Sequence, residues 1–124
     1  MAKNTVTLRG NLVSDPYFGF IDTADGQLPM MRFTLAVDRH PPRPSGTDYV
    51  QVCMYGPQAI NSFAYLQQGS LILADGWIRS REGTDSSGKK MSRLEIVAEE
   101  ITFLHNINWE RGNAALEESK VRSE

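Results

Sequence analysis

Residues 48–69, DYVQVCMYGPQAINSFAYLQQG, change their periodicity half-way, and that change decides the fold. From Asp48 to Tyr55 the residues alternate, with Val50, Val52 and Met54 on one face and Tyr49, Gln51, Cys53 and Tyr55 on the other. Side chains along a strand repeat every two residues, so this is a strand with one aliphatic face and one aromatic and polar face. Gly56-Pro57 breaks the pattern, after which Ile60, Phe63, Ala64 and Leu66 recur at a spacing near 3.6. That spacing predicts a helix, ending near Gly69, that buries one side.

Outward from this strand and helix the chain reads as strands. Residues 4–13 place Val6, Leu8 and Leu12 at period two, and Asp15-Pro16 ends the run. Residues 16–29 hold two glycines and two acids among Tyr17, Phe18, Phe20 and Ile21, which predicts a loop or irregular hairpin with apolar anchors. Met31–Asp38 alternates strictly and is a second strand. Arg39–Thr47, RHPPRPSGT, must be an exposed loop. A fourth strand is expected over about 70–82, with a bulge or sharp bend at Gly76, then a turn-rich loop, Glu82–Lys90, and a fifth strand over 91–104. Five strands with one helix between the third and fourth match the order of an all-β OB-fold, a Greek-key barrel with extended hairpin loops that binds oligonucleotides or sugars. An unrelated small barrel would share that order.

The 124 residues suit one core, here residues 1–105, followed by a short tail, 106–124, read as partly disordered or a short helix. Trp109, Ala114 and Leu116 would pack such a helix on the barrel. Apolar residues at 40% and charged residues at 23% are ordinary globular usage. The net charge of −2 taken alone argues against a polyanion ligand. One cysteine and two histidines exclude an internal disulfide and a structural zinc set, so no metal or cofactor is expected. No secretory signal and no run of roughly 18 apolar residues is visible, which sets a cytoplasmic, reduced compartment as the expectation. His40 and His105 lack an adjacent nucleophile pattern, phosphate-loop motifs are absent, and Asp22 and Asp25 lack calcium-loop spacing. An enzyme is not expected, and Cys53 reads as a small structural thiol.

Several separated pieces resemble the bacterial and phage single-stranded DNA-binding proteins, in order from about Asn4 to Leu104. They are Gly10-Asn11-Leu12 with Asp15-Pro16, Phe33-Thr34-Leu35-Ala36, Thr47-Asp48-Tyr49 with Tyr55-Gly56, Tyr65-Leu66 with Gly69-Ser70, and Asp75-Gly76 through Arg79-Ser80-Arg81 to Thr84-Asp85 and Ser87-Gly88. The resemblance implies sequence-nonspecific binding and protection of single-stranded DNA in replication, recombination or repair. It also implies a homo-oligomer, a homotetramer or less often a dimer, with Asn4–Val13 at the dimer interface. A primosomal accessory protein and a protein-interaction scaffold are the alternatives, the scaffold favoured by the acidic balance.

Such binding needs flat side chains for base stacking and cations that track phosphates. Tyr49 and Tyr55 share a strand face with Gln51 between them, about 20 Å apart at 3.3 Å per residue. Gly76–Arg93 nets +3 through Arg79, Arg81, Lys89, Lys90 and Arg93 against Glu82 and Asp85, and Arg39 and Arg43 mark the loop before the third strand. Where the family carries rings, this chain has His40-Pro41 and Gly83. Trp77, of the same parity as Arg79 and Arg81, is a replacement platform or else a buried ring, and Phe20 is a lesser candidate. The ending, NINWERGNAALEESKVRSE, has no acidic tip with a hydrophobic anchor, so recruitment of replication or repair partners through one is not expected.

Overall fold

The computed structural model describes residues 3–40 and 46–123, with the side chains of the final helix described through residue 118. The alternating stretches are strands: β1 (Val6–Leu12), β2 (Tyr17–Thr23), β3 (Gly26–Asp38) and β4 (Thr47–Tyr55) precede the helix α1 (Pro57–Phe63). After it come β5 (Leu71–Thr84), β6 (Lys90–His105) and a second helix, α2 (Trp109–Ser123). The strands are ordered β1-β5-β6-β4-β3-β2, and β3 also pairs with β1 through Asn11↔Ala36 and Leu12↔Leu35. That extra pairing closes five strands into a ring and leaves β2 outside it, hairpinned onto β3. Among the described residues only β4 and β6 run parallel, at Val52↔Ile96 and Cys53↔Val97. This is the OB-fold the strand order implies.

β2 is the element that the sequence pattern hid. It pairs with β3 from Tyr17↔Arg32 to Thr23↔Gly26, where the sequence reading expected a loop or irregular hairpin. Its apolar residues do not alternate because both faces are used. Phe18 turns inward and packs its ring 5.1 Å from that of Phe63 on α1, whereas Tyr17 faces outward and is 61% exposed.

The core takes inward residues from every strand of the ring, among them Leu12, Leu35, Val52, Ile72 and Ile96. α1 plugs one end, but it is shorter than its period suggested: Ala59 is the fully buried residue and Ile60 points out. The chain leaves the helix after Phe63 through turns closed by Tyr65 N–H to Ser62 O and Leu66 N–H to Phe63 O, so Leu66 reaches the core from a turn.

Gly76 marks a bulge, as expected, because Asp75 pairs with Glu100 and Gly76 with Ala98, leaving Glu99 unopposed. A Cβ on Gly76 would lie 1.9 Å from the Val97 carbonyl oxygen, so only glycine allows β5 this close to β6. The extra residue shifts the inward parity of β6, from Ile96 and Ala98 to Ile101 and Phe103.

The tail forms the helix α2. Asn108 caps it by accepting the Arg111 N–H at 2.9 Å, and Arg111 donates to the Ala64 carbonyl, at the end of α1, at 2.8 Å. Trp109 meets Tyr65 and Phe103 edge-on. Gly112 lies against the Tyr65 ring, where a Cβ would come within 2.0 Å. Trp109 therefore docks as the sequence suggested, but Ala114 is exposed and Leu116 remains 44% exposed, because Arg111 and Gly112 make the close approach instead.

Candidate nucleic-acid interface

Residues directly opposite on paired strands share a face, so the register assembles the site. On β3 and β4, Arg32 lies opposite Cys53, Thr34 opposite Gln51 and Ala36 opposite Tyr49. Cys53 then neighbours Val97 on β6. Val97 lies opposite Trp77 on β5, Glu95 opposite Arg79 and Arg93 opposite Arg81. One outer face of the barrel thus carries Tyr49, Gln51, Tyr55, Trp77, Arg79, Arg81 and Arg93, and β2 adds Tyr17 opposite Arg32. The strand stays in register past Gly76, so Trp77, 36% exposed, does lie on this face.

The rings differ in their freedom. Tyr49 is 69% exposed. Tyr55 is half-buried, its hydroxyl accepts a hydrogen bond from Arg79 Nη2, and the Arg79 guanidinium lies over its ring. Burial first, and then its hydrogen bond with Cys53, push the Tyr55 phenol above its ordinary pKa. Tyr17 extends its ring over Gly19, where a Cβ would meet the phenol oxygen at 2.8 Å.

At the centre of this face sits an acid. Glu95 has a side chain only 3% exposed, accepts Arg79 Nε at 2.7 Å on Oε1, and has Arg81 Nη1 3.7 Å from Oε2. Burial alone would lower the pKa of Arg79, and its hydrogen bonds to Glu95 and Tyr55 outweigh that and raise it. Beneath them Cys53 is 1% exposed, with its sulfur 3.5 Å from the Ile96 carbonyl oxygen. Burial pushes this thiol above its usual pKa. Beside Glu95 a shallow basin is lined by Arg32, Gln51, Arg81 and Arg93. Arg32 Nε is buried there without a hydrogen-bond partner among the described residues.

The β5–β6 hairpin projects as an arm whose turn is built on Asp85. Its Oδ1 accepts from the Ser87 hydroxyl at 2.7 Å and from the Ser87 and Lys89 backbone N–H groups at 2.9 Å. Those bonds, the Ser87 side chain's first, hold the Asp85 carboxyl below its ordinary range.

Several expected site residues stand off this face. Lys90 pairs with Thr84, which puts it on the other face of the arm, with Ser92 and Leu94, while Lys89 belongs to the turn. Phe20 pairs with Pro29 and shares the inward side of β2 with Phe18, whose ring it meets edge-on at 5.4 Å. Alternation therefore turns Phe20 away from Tyr49 and Tyr55, and Tyr17 takes the place on their face. Arg39 is held by Asp48 at 2.9 Å at the root of the β3–β4 loop, and Arg43 lies outside the described residues. The sequence reading missed Arg32 and Tyr17. The strict alternation of Met31–Asp38 already placed Arg32 off the core face, and the β3–β4 register then brings it against Cys53.

A family model described as the single-strand binding protein family matches residues 3–104. The chain belongs to that family. It is 33% identical over 112 residues to single-stranded DNA-binding protein 2 of Listeria innocua, covering 88% of this chain and 69% of that one. It is 33% identical over 124 residues to the single-stranded DNA-binding protein of Caldanaerobacter subterraneus subsp. tengcongensis, covering 98% and 81% respectively. With the single-stranded DNA-binding protein of onion yellows phytoplasma it shares 27% over 105 residues, 85% of this chain and 97% of that relative. Among the described residues of this family member, no Cys/His/Asp/Glu cluster suits a metal ion, and no helix is long and apolar enough to cross a membrane.

Proposed function

We propose that this protein binds single-stranded DNA without sequence preference along the outer face of β3, β4, β5 and β6, and so covers strands exposed in replication, recombination or repair. The observation that carries this reading is the convergence of Tyr17, Tyr49, Tyr55 and Trp77 with Arg32, Arg79, Arg81 and Arg93 on one face. Every base has a flat π face, so rings bind bases of any identity, each contributing about 1–3 kcal/mol. The arginines make this face positive where the phosphates between the bases pass. Gln51 adds an amide at the centre, and Lys89 follows the strand at the turn of the arm. Family membership and the names of the relatives support the same ligand.

The role is binding rather than catalysis, in a homo-oligomer, a tetramer or a dimer, with β1 at a subunit contact. Light scattering measures that assembly. The function is tested by titrating intrinsic fluorescence with oligo-dT, duplex DNA and RNA at several salt concentrations. Oligo-dT should quench Trp77 and bind more tightly than duplex, with log K falling by about 0.7 per phosphate neutralised for each tenfold rise in salt. No binding of oligo-dT at low salt would overturn the reading. Equal quenching in Trp77→Phe would remove Trp77 from the interface.

A further inference from the structure

A carboxylate at the centre of a face that binds a polyanion calls for an explanation. Glu95 is buried, and both of its oxygens face arginines of β5. A phosphate that took Arg79 from Glu95 would leave a buried charge without its main partner, which is strongly unfavourable. Arg79 is held a second time by the hydroxyl and ring of Tyr55. It is therefore committed before any strand arrives.

We infer that Glu95 is an internal counter-ion that withholds Arg79, and in part Arg81, from the phosphates and fixes Arg79 against Tyr55 as part of a stacking surface. The inference rests on the proposed binding of single-stranded DNA and deepens it. Counterion release counts only those cations that neutralise phosphate. Arg93, Arg32 and Lys89, none of which pairs with an acid in a salt bridge among the described residues, then set the salt dependence. Arg79 contributes to affinity without contributing to the slope. Glu95 is in this sense a positioning residue, acting on the strand only through the arginines.

The test measures log K against log salt for oligo-dT with the wild type, Glu95→Gln, Arg79→Gln and Arg93→Gln, each checked for folding by circular dichroism. Gln keeps the shape and an acceptor for Arg79 but removes the charge, so E95Q should bind more tightly at low salt and steepen the slope by about 0.7 for each arginine released. Its advantage over the wild type should then shrink by about fivefold between 20 and 200 mM salt. R93Q should flatten the slope by about 0.7. R79Q should weaken binding by the same factor at every salt concentration.

An unchanged slope in folded E95Q, or a slope in R79Q flattened as much as in R93Q, would overturn the inference while leaving the binding function intact. If E95Q does not fold, the comparison of R79Q with R93Q decides alone. A wild type that fails to bind oligo-dT at low salt refutes the binding function itself, and the inference falls with it.

Discussion

The guanidinium carbon of Arg79 lies 5.2 Å from the centroid of the Tyr55 ring, while the same guanidinium bonds the hydroxyl of that ring. The ring and the cation thus present one surface, with the hydroxyl serving to orient the arginine. Tyr55→Ala should weaken oligo-dT binding by about 1–3 kcal/mol, the range for one stacked base. Tyr55→Phe keeps the ring and should lose less than half of that. The two variants compared by fluorescence titration separate stacking from the hydrogen bond, and equal losses would refute stacking at this position.

Tyr49 is the cleaner test of a ring, because at 69% exposed it supports little of the fold. Tyr49→Ala should leave the melting temperature within about 2 °C, as expected of a surface substitution, and still weaken oligo-dT binding by about 1–3 kcal/mol. A loss of stability without a loss of binding would assign Tyr49 to structure.

Much of the architecture could be read from the sequence because alternation survives wherever one face of a strand is buried. The five strands of the ring, the helix between β4 and β5, and the bulge at Gly76 were legible for that reason. β2 was not, because Phe18 and Tyr17 bury and expose apolar groups on opposite faces and erase the alternation. The candidate site was legible strand by strand but not between strands. The +3 count over Gly76–Arg93 stops two residues before Glu95, and only the β5–β6 register brings that acid opposite Arg79. Arg32 and Tyr17 are hidden in the sequence on similar grounds, since what joins them to the site is pairing between strands and not spacing along the chain.

Gly83 lies opposite Met91 on the arm, on the face of Arg81 and Arg93, and a Cβ there would meet nothing within 4 Å. The position is open and its backbone needs no glycine. Gly83→Trp should therefore fold normally and add a stacking surface, tightening oligo-dT binding by about 1 kcal/mol or more, roughly fivefold. Unchanged affinity in the folded variant would show that the strand does not run along the arm at this position.

Gly76 gives the opposite expectation. A Cβ 1.9 Å from the Val97 carbonyl oxygen meets backbone, which cannot rotate away as a side chain can. Gly76→Ala should destabilise the fold by about 3 kcal/mol or more, at the upper end of ordinary single substitutions, and urea denaturation measures it. A loss below about 1 kcal/mol would mean that β5 and β6 separate here at little cost.

Burial raises the Cys53 thiol above its usual pKa, and this links stability to alkaline pH. A group whose pKa is raised on folding contributes stability that is complete below its unfolded value, about 8.5 for cysteine, and that is lost as the pH climbs through the folded value. In that interval the unfolded chain releases a proton that the folded chain retains. Stability should thus fall between about pH 8 and pH 9.5, a window that opens at the unfolded cysteine value and lies below the tyrosine value of about 10. Cys53→Ala should be less stable than the wild type at pH 7, having lost a buried side chain, but should lose less on going to pH 9.5. Urea denaturation of both proteins at the two pH values provides the comparison, and parallel losses would show that the Cys53 thiol is not what links the fold to alkaline pH.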